Sequence, residues 1–501
     1  MNKNLTLTLI LFSFALLVSN AQKKEVNPKV KPDKQKQFVE ADIEMKSAGY
    51  RKVAKSIWGY AELGFQETRS SGLLQEVLKK EGFSVEAGVS GMPTAFVATF
   101  SSAVPEPGTQ NISDNLVIGI LAEFDALPGL SQDSAAAKFP ITEGGGGHAC
   151  GHHLFGTASV AAAAALKNWL VENKITGTVK LFGTPAEEGG SAKVYMVRDG
   201  LFNDVDVVLH WHPSDNNDAS PETCLAIKQA VFRFYGRSAH AAAAPYAGRS
   251  ALDGAEAMNH MVNLMREHVP QETRIHYVIK NGGLAANVVP DFVEVEYMVR
   301  HPDARVLDEI WNRIVKASEG AATGTETTVK HEVISGSYNL MRNETLARLM
   351  QSNLEKVGGV KYTKADIAFA NELQKTLPGN PPAITNAQKV EPFKLDGFFY
   401  ASTDVGDITW VVPSTGLGTA TWVPGTPAHS WQAVACGGTN IGMTAMANAA
   451  KVIAMTGVDL FLNPAIAKQA KAELQNKTGP DFKYKSMIGD RKPPLDYRMR
   501  K

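Results

Sequence analysis

The spacing of apolar residues changes several times along the chain, and each change predicts an element. From Phe38 to Glu62, and again from Leu73 to Glu81, apolar positions recur at helical spacing, whereas Phe83 to Phe100 reads as strands broken at Gly91 and Pro93. A continuous apolar run, Leu116 to Leu121, ends in Glu123 and Asp125 just before a Pro-Gly turn. Thr178 to Phe182 and Asp206 to His210 have the length of buried strands, and Leu154 to Glu172 is an alanine-rich helix suited to close packing. Strands alternating with helices predict a mixed, mostly parallel α/β sheet flanked by helices, and acids at a strand's carboxyl end stand where such sheets place their sites.

From about Cys224 the pattern changes. Ala226 to Tyr235 is a strand, Ser250 to Glu267 an amphipathic helix, and Arg274 to Ile279 and Val288 to Val299 alternate apolar and polar residues as half-buried antiparallel strands do. Val306 to Ala317 is a further helix and Thr327 to Val333 a further strand, so residues 225–336 are expected to form an α+β unit inserted into the larger domain. The catalytic domain then comprises 38–224 and 337–465. Lys375 to Leu395 is expected as an aperiodic surface excursion, Ile408 to Val412 as a strand, Gly437 to Met455 as a small-residue helix, and 466–501 as a solvated tail.

The ends and the charge add bounds. Lys3 precedes an apolar run, Leu5 to Val18, that is short for a bilayer span and is followed by Ser19, Asn20 and Ala21. This predicts a signal peptide over 1–21, a linker over 22–37, and an exported mature chain, periplasmic or secreted, with no membrane attachment after cleavage. Lys plus Arg and Asp plus Glu number 51 each, so no overall field favours nucleic acid. The three cysteines, Cys150, Cys224 and Cys436, allow at most one internal disulfide.

Candidate chemistry collects in four places. GGGGHACGHH puts Cys150 and His152 two residues apart, with His148 and His153 beside them, in a glycine-loosened turn where imidazole and thiolate suit zinc and its neighbours. GTPAEEGGS carries the adjacent acids Glu187 and Glu188. Two carboxylates so close repel unless a cation lies between them; one can bind it while the other takes a proton from water. VVLHWHP offers His210 and His212, of which either could ligate, and GTPAHSW offers His429.

With WGYAELGFQET, EFDALPGLSQ, HACGHHLFGTA, PAEEGGS, WHP, SAHAA, NVVP, STDVGD and GTPAHSW in this order, the chain resembles the co-catalytic metallopeptidase and amidohydrolase family that includes aminoacylases, carboxypeptidase G-type enzymes and indole-acetyl-amino-acid hydrolases. The resemblance implies that the inserted unit is a ferredoxin-like lid and dimerisation domain. It implies two divalent cations, manganese or zinc, held by Cys150, His152, Glu188, His212 and His429, with Glu187 as general base. His240 would reach the oxyanion across a homodimer, and Asn287 and Arg300 would hold the substrate. The implied reaction is hydrolysis of the amide of an N-acyl or N-aroyl amino acid or a dipeptide, and the resemblance allows a paralogous partner subunit. His153 stands where many relatives carry aspartate. Two other readings remain at this stage: a catalytically silent exported metal- or ligand-binding protein of the same fold, and an amidase with Cys150 as nucleophile.

Overall fold

The alanine-rich stretch forms the helix His152–Glu172, buried on nearly every side because its small residues let it lie close against both the large sheet and the helix Asn440–Leu462. The computed structural model describes residues 32–102 and 115–499; the expected signal peptide lies outside them. In the six-stranded sheet the order is Ser84–Ala87, Phe96–Ser102, Gly177–Gly183, Val117–Ala122, Val207–Leu209, Ser414–Thr415. The first two strands run antiparallel to their neighbours and the last four are mutually parallel. Three of those parallel strands therefore deliver their carboxyl ends to one edge, where Glu123, Glu187 and His210 follow within a few residues.

The inserted unit is an antiparallel sheet in the order Thr328–Ser337, Ala226–Tyr235, Phe292–His301, Arg274–Asn281, with the helices Ala251–Met265 and Ala304–Gly324 on one face. In chain order this is βαββαβ with strand order 4-1-3-2, a ferredoxin-like arrangement. Phe292–His301 alternates between buried and half-buried positions throughout, and its Tyr297 ring meets Phe232 edge-on at 5.5 Å in the core. Ser250 caps the first of these helices, its hydroxyl accepting from Asp253 N at 3.1 Å.

Three segments differ from expectation. A helix begins at Pro32, inside the expected linker, because Lys36 is anchored by buried contacts: its Nζ lies 2.7 Å from Asp459 and 2.8 Å from Asn353 Oδ1. Residues Val405–Val411 form a short helix, and the sheet position goes to Ser414–Thr415. The helix leaves the carboxylate of Asp407 facing Tyr338 N at 3.0 Å and Tyr484 Oη at 2.6 Å, contacts that its alternating pattern does not announce. Beyond the helix Ala465–Thr478 the chain runs as a strap over both domains rather than into solvent, with Ile488 and Met487 buried in the two cores.

Candidate metal centre

The turn before the long helix has to be glycine. A Cβ on Gly147 would lie 1.9 Å from the Leu130 carbonyl oxygen, and Gly151 combines a φ of 76° with an approach to Pro213 that would leave a Cβ 2.6 Å away. The tight backbone sets Cys150 and His152 at the sheet edge. His152 Nδ1 lies 2.8 Å from Asp125 Oδ1, and the other Asp125 oxygen accepts from Glu188 N at 3.0 Å. One aspartate thus fixes both the tautomer of His152, leaving Nε2 free, and the path of the backbone at Glu188. His212 donates Nδ1–H to the Pro213 carbonyl at 2.8 Å, so its free Nε2, 3.4 Å from Cys150 Sγ, also faces the centre.

Glu187 and Glu188 lie in a turn entered through Ala186 at φ 54° and left through Ser191 at φ 56°. Such left-handed backbone in non-glycine residues is held by its surroundings. Here Glu67, buried, accepts from Ala186 N at 2.8 Å. His429, itself at φ 58°, brings Nε2 within 3.1 Å of Glu188 Oε1.

Donor atoms fall into three overlapping groups, within each of which they lie no more than 4.8 Å apart: Cys150, His152 and His212; Cys150, Glu188 and His429; and Glu123, His152 and Glu187. Buried His152 Nε2, Glu188 Oε1 and Glu123 Oε2 have no well-formed hydrogen bond among the described residues, although Glu123 Oε2 is 3.1 Å from His152 Nε2 and Glu188 Oε1 is 3.1 Å from His429 Nε2. Donor atoms of these kinds converging within such distances fit divalent cations, and Cys150, common to two groups, is placed to serve two positions.

The electrostatics agree. Burial, then the neighbouring acids Glu123, Glu188 and Asp404, push the Glu187 carboxyl well above the carboxylate range, as a proton acceptor working near neutrality requires. Burial pushes the Cys150 thiol up as well, the reverse of what a free cysteine nucleophile needs; an adjacent cation would restore the thiolate. Behind the centre Lys193, fully buried, reaches Glu123 at 2.8 Å and Asp404 at 2.6 Å.

The structure brings Cys150, His152, Glu187, Glu188, His212 and His429 to one place. His210 belongs to none of the groups among the described residues. The strand ends at Leu209 and another begins at His212, so the alternation between the two histidines is broken, and His210 packs on Gly416. His153 points away, Nε2 3.0 Å from the Gly437 carbonyl, and its ring lies at a tilt to that of His148, centroids 4.9 Å apart. His240 and Asn287 lie together on exposed loops of the small domain, where Ala241 N donates to the Asn287 carbonyl at 3.0 Å. Arg300 is half-buried toward the opposite end of its strand, paired with Ile227 and Arg274. All three cysteines are free and buried.

The sequence places Glu123 and Asp125 at a strand's carboxyl end without giving them roles, gives none to Glu67 or Lys193, and reads the C-terminal residues as a solvated tail. Lys193 did leave a signal, a lysine amid the otherwise apolar Ala192, Val194, Tyr195, Met196 and Val197.

Known proteins resemble the chain over most of its length. The model of peptidase family M20/M25/M40 matches residues 119–384. A p-aminobenzoyl-glutamate hydrolase subunit of Escherichia coli is 38% identical over 467 residues, covering 88% of this chain and 95% of its own, and the Xaa-Arg dipeptidase of Mus musculus is 30% identical, covering 85% and 88%. Among solved structures, a dinuclear metal-binding peptidase of the M20 family from Bacillus subtilis superposes with a TM-score of 0.56 at 16% identity, covering 83% of this chain and 99% of its own. The aminobenzoyl-glutamate utilization protein of Klebsiella pneumoniae gives a TM-score of 0.55 at 15% identity, covering 83% and 97%.

Proposed function

The chain belongs to peptidase family M20/M25/M40 and is a metal-dependent amidohydrolase or peptidase; on that premise we propose that it hydrolyses the amide of an N-aroyl or N-acyl amino acid, of the aminobenzoyl-glutamate kind, or of a dipeptide. The observation that carries this is the Glu187–Glu188 turn, which sets an acid of raised proton affinity beside the cluster centred on Cys150. Similarity to proteins named for aminobenzoyl-glutamate and for Xaa-Arg dipeptides supports a substrate with a free amino-acid carboxylate.

Cys150, His152, Glu188, His212 and His429 would hold two divalent cations, zinc or manganese. What these supply when bound is Lewis acidity toward a carbonyl and a lowered pKa for water. Glu187 takes one proton of the attacking water and passes it to the amine nitrogen as the amide carbon–nitrogen bond breaks, giving a carboxylic acid and an amine, which near neutral pH become carboxylate and ammonium as the second proton moves from oxygen to nitrogen. Asp125 keeps His152 in the ligating tautomer throughout.

His240 is the proposed oxyanion donor. Its Nδ1 accepts from Ala242 N and Ala243 N at 3.2 and 3.1 Å, which leaves Nε2–H as the ring's donor. Asn287 and Arg300 are proposed to bind the substrate's carbonyl and carboxylate. A homodimer through the small domain is supported by its edge strand and first helix, where Val278, Leu264 and Met261 are exposed. Relatives named as two different subunits of one hydrolase also support a paralogous partner. Export of a mature chain starting at Gln22 is proposed from the N-terminal pattern, and the N-terminal residue of the chain recovered outside the cytoplasm tests it.

Glu187→Gln tests the mechanism. It should leave cation binding and fold intact and lower kcat by about 10²–10⁴; near-normal turnover would remove Glu187 from the mechanism.

A further inference from the structure

We propose that the C-terminal strap, through Arg498 and Tyr497, positions the Glu187–Glu188 turn, so that the end of the chain is part of the machinery that sets cation affinity and turnover. The inference rests on the metal-hydrolase reading above.

The strap is fastened along its whole course. At the small domain Arg491 pairs with Glu332, and Met487 packs against Gly336 close enough that a Cβ there would meet it at 2.9 Å. Where the chain crosses between domains, Tyr338 Oη donates to the Lys485 carbonyl at 2.9 Å and Tyr484 Oη donates to Asp407 at 2.6 Å. Further on, Arg198 holds the Arg491 carbonyl at 2.6 Å and Gln66 the Leu495 carbonyl at 3.0 Å. The strap ends on the catalytic turn itself: Arg498 Nη2 donates to the Glu188 carbonyl at 2.6 Å and Tyr497 Oη to the same oxygen at 3.2 Å.

That carbonyl lies outside any strand or helix that could hold it. The turn is strained at Ala186 and Ser191; its own backbone holds the Ala186 carbonyl, from Gly190 N and Ser191 N at 2.9 and 2.8 Å, and the Glu187 carbonyl, from Gly189 N at 2.7 Å, while Glu67 on Ala186 N and Asp125 on Glu188 N grip it from outside by its donors. The charged bond from Arg498 supplies the opposing hold, and hydrogen bonds to charged groups are the stronger kind. Space was kept for it: a Cβ on Gly64 would lie 2.1 Å from Tyr497 Oη, and the Tyr497 ring meets Phe65 edge-on at 5.7 Å. Since the Glu188 side chain is a proposed ligand and Glu187, next to it in the same turn, the proposed base, a displacement of the backbone at Glu188 would misdirect the Glu188 carboxylate and disturb that of Glu187. The same strap grips the small domain at Glu332 and Gly336, so a shift of that domain would pull on the turn.

The test compares the mature chain from Gln22 with Arg498→Ala, Arg498→Lys and a truncation after Asp496. Hydrogen exchange is read over residues 184–193, Zn²⁺ and Mn²⁺ affinity by calorimetry on metal-stripped protein, and kcat and KM on aminobenzoyl-glutamate. Arg498→Ala and the truncation should speed exchange at Gly189, Gly190 and Ser191 about ten-fold or more and weaken cation affinity about 10–100-fold. They should lower kcat with little change in KM, and Arg498→Lys should recover part of each. Wild-type exchange and cation affinity in Arg498→Ala, even with a lower melting temperature, would overturn the proposal. If the wild-type chain hydrolyses nothing, the reaction assigned above fails, while the exchange and calorimetry results still decide the role of the strap.

Discussion

Replacing Lys193 by methionine removes the buried cation behind the centre while keeping length and apolar packing. In the native protein Nζ lies 2.8 Å from Glu123 and 2.6 Å from Asp404, and all three side chains are at most 2% exposed. Breaking one such buried pair costs about 3–5 kcal/mol, since the partner is left charged and without water. The Asp404 bond from the backbone N of residue 193, 3.0 Å, survives the substitution and does not enter the difference. The loss has a ceiling, because either acid can take up a proton instead. Protonating a carboxyl of ordinary pKa near 4 costs about 5 kcal/mol at pH 8 and about 2 kcal/mol at pH 5.5. The sign follows: in the variant these acids have folded-state pKa values above their unfolded ones, so stability present in acid is lost as pH rises. Urea unfolding of metal-stripped protein, followed through the buried Trp169 and Trp211 of the catalytic core, should give a deficit of about 3–5 kcal/mol at pH 8 that shrinks to about 2 kcal/mol at pH 5.5. Equal stability at pH 8, or a deficit that grows toward acid, would refute the reasoning.

Other substitutions test neighbouring parts of the account. Asp125→Asn releases the tautomer of His152 and the backbone at Glu188 together, and cation affinity measured by calorimetry should fall about 10–100-fold with the fold retained. Burial lifts the Asp407 carboxyl to about 7, so its contribution to stability is full below pH 4 and lost as pH rises through 7. Asp407→Asn should therefore gain on the wild type by at most about 4 kcal/mol between pH 4 and pH 8 in urea midpoints, and a gain at the acid end would contradict this. His240→Ala should lower kcat by about 10²–10³ without changing the mass in solution or cation content. Mixing it with Glu187→Gln should restore activity if the histidine acts across a dimer, and a monomeric, fully active wild type would exclude that role.

How far the fold could be read from the sequence depended on whether one residue's pattern carried the information. Phe292–His301 alternates because one face is core and the other is not, and the periodicity shows it directly. The helix His152–Glu172 is legible for the opposite reason, being small and apolar all round. Val405–Val411 misled because seven residues rich in β-branched and aromatic side chains, buried on both sides, look alike as strand or helix; what decides is the Asp407 carboxylate meeting Tyr338 and Tyr484 from distant parts of the chain. Lys36, Lys193 and Arg498 were hidden in the same way. A charge read alone belongs on the surface, and only the acids that the fold brings to the buried Lys36 and Lys193, or the carbonyl it brings to the half-buried Arg498, account for their positions. The ligand cluster was recognisable because its motifs are short, glycine-flanked and ordered, whereas the relation of His240, Asn287 and Arg300 to it depends on how domains and chains come together.

The central claim is that this cluster of Cys150, histidines and acids works as a metal-dependent amide hydrolase. Its most direct test is turnover of a panel of N-acyl and N-aroyl amino acids, aminobenzoyl-glutamate included, by the mature chain from Gln22. Rates would be measured as purified, after chelation, and after adding back zinc or manganese. Activity that disappears with chelator and returns with one cation is the predicted result, and it would also name the metal and rank the substrates. Turnover unaffected by chelation, or none under any condition with two cations bound per chain, would contradict the account.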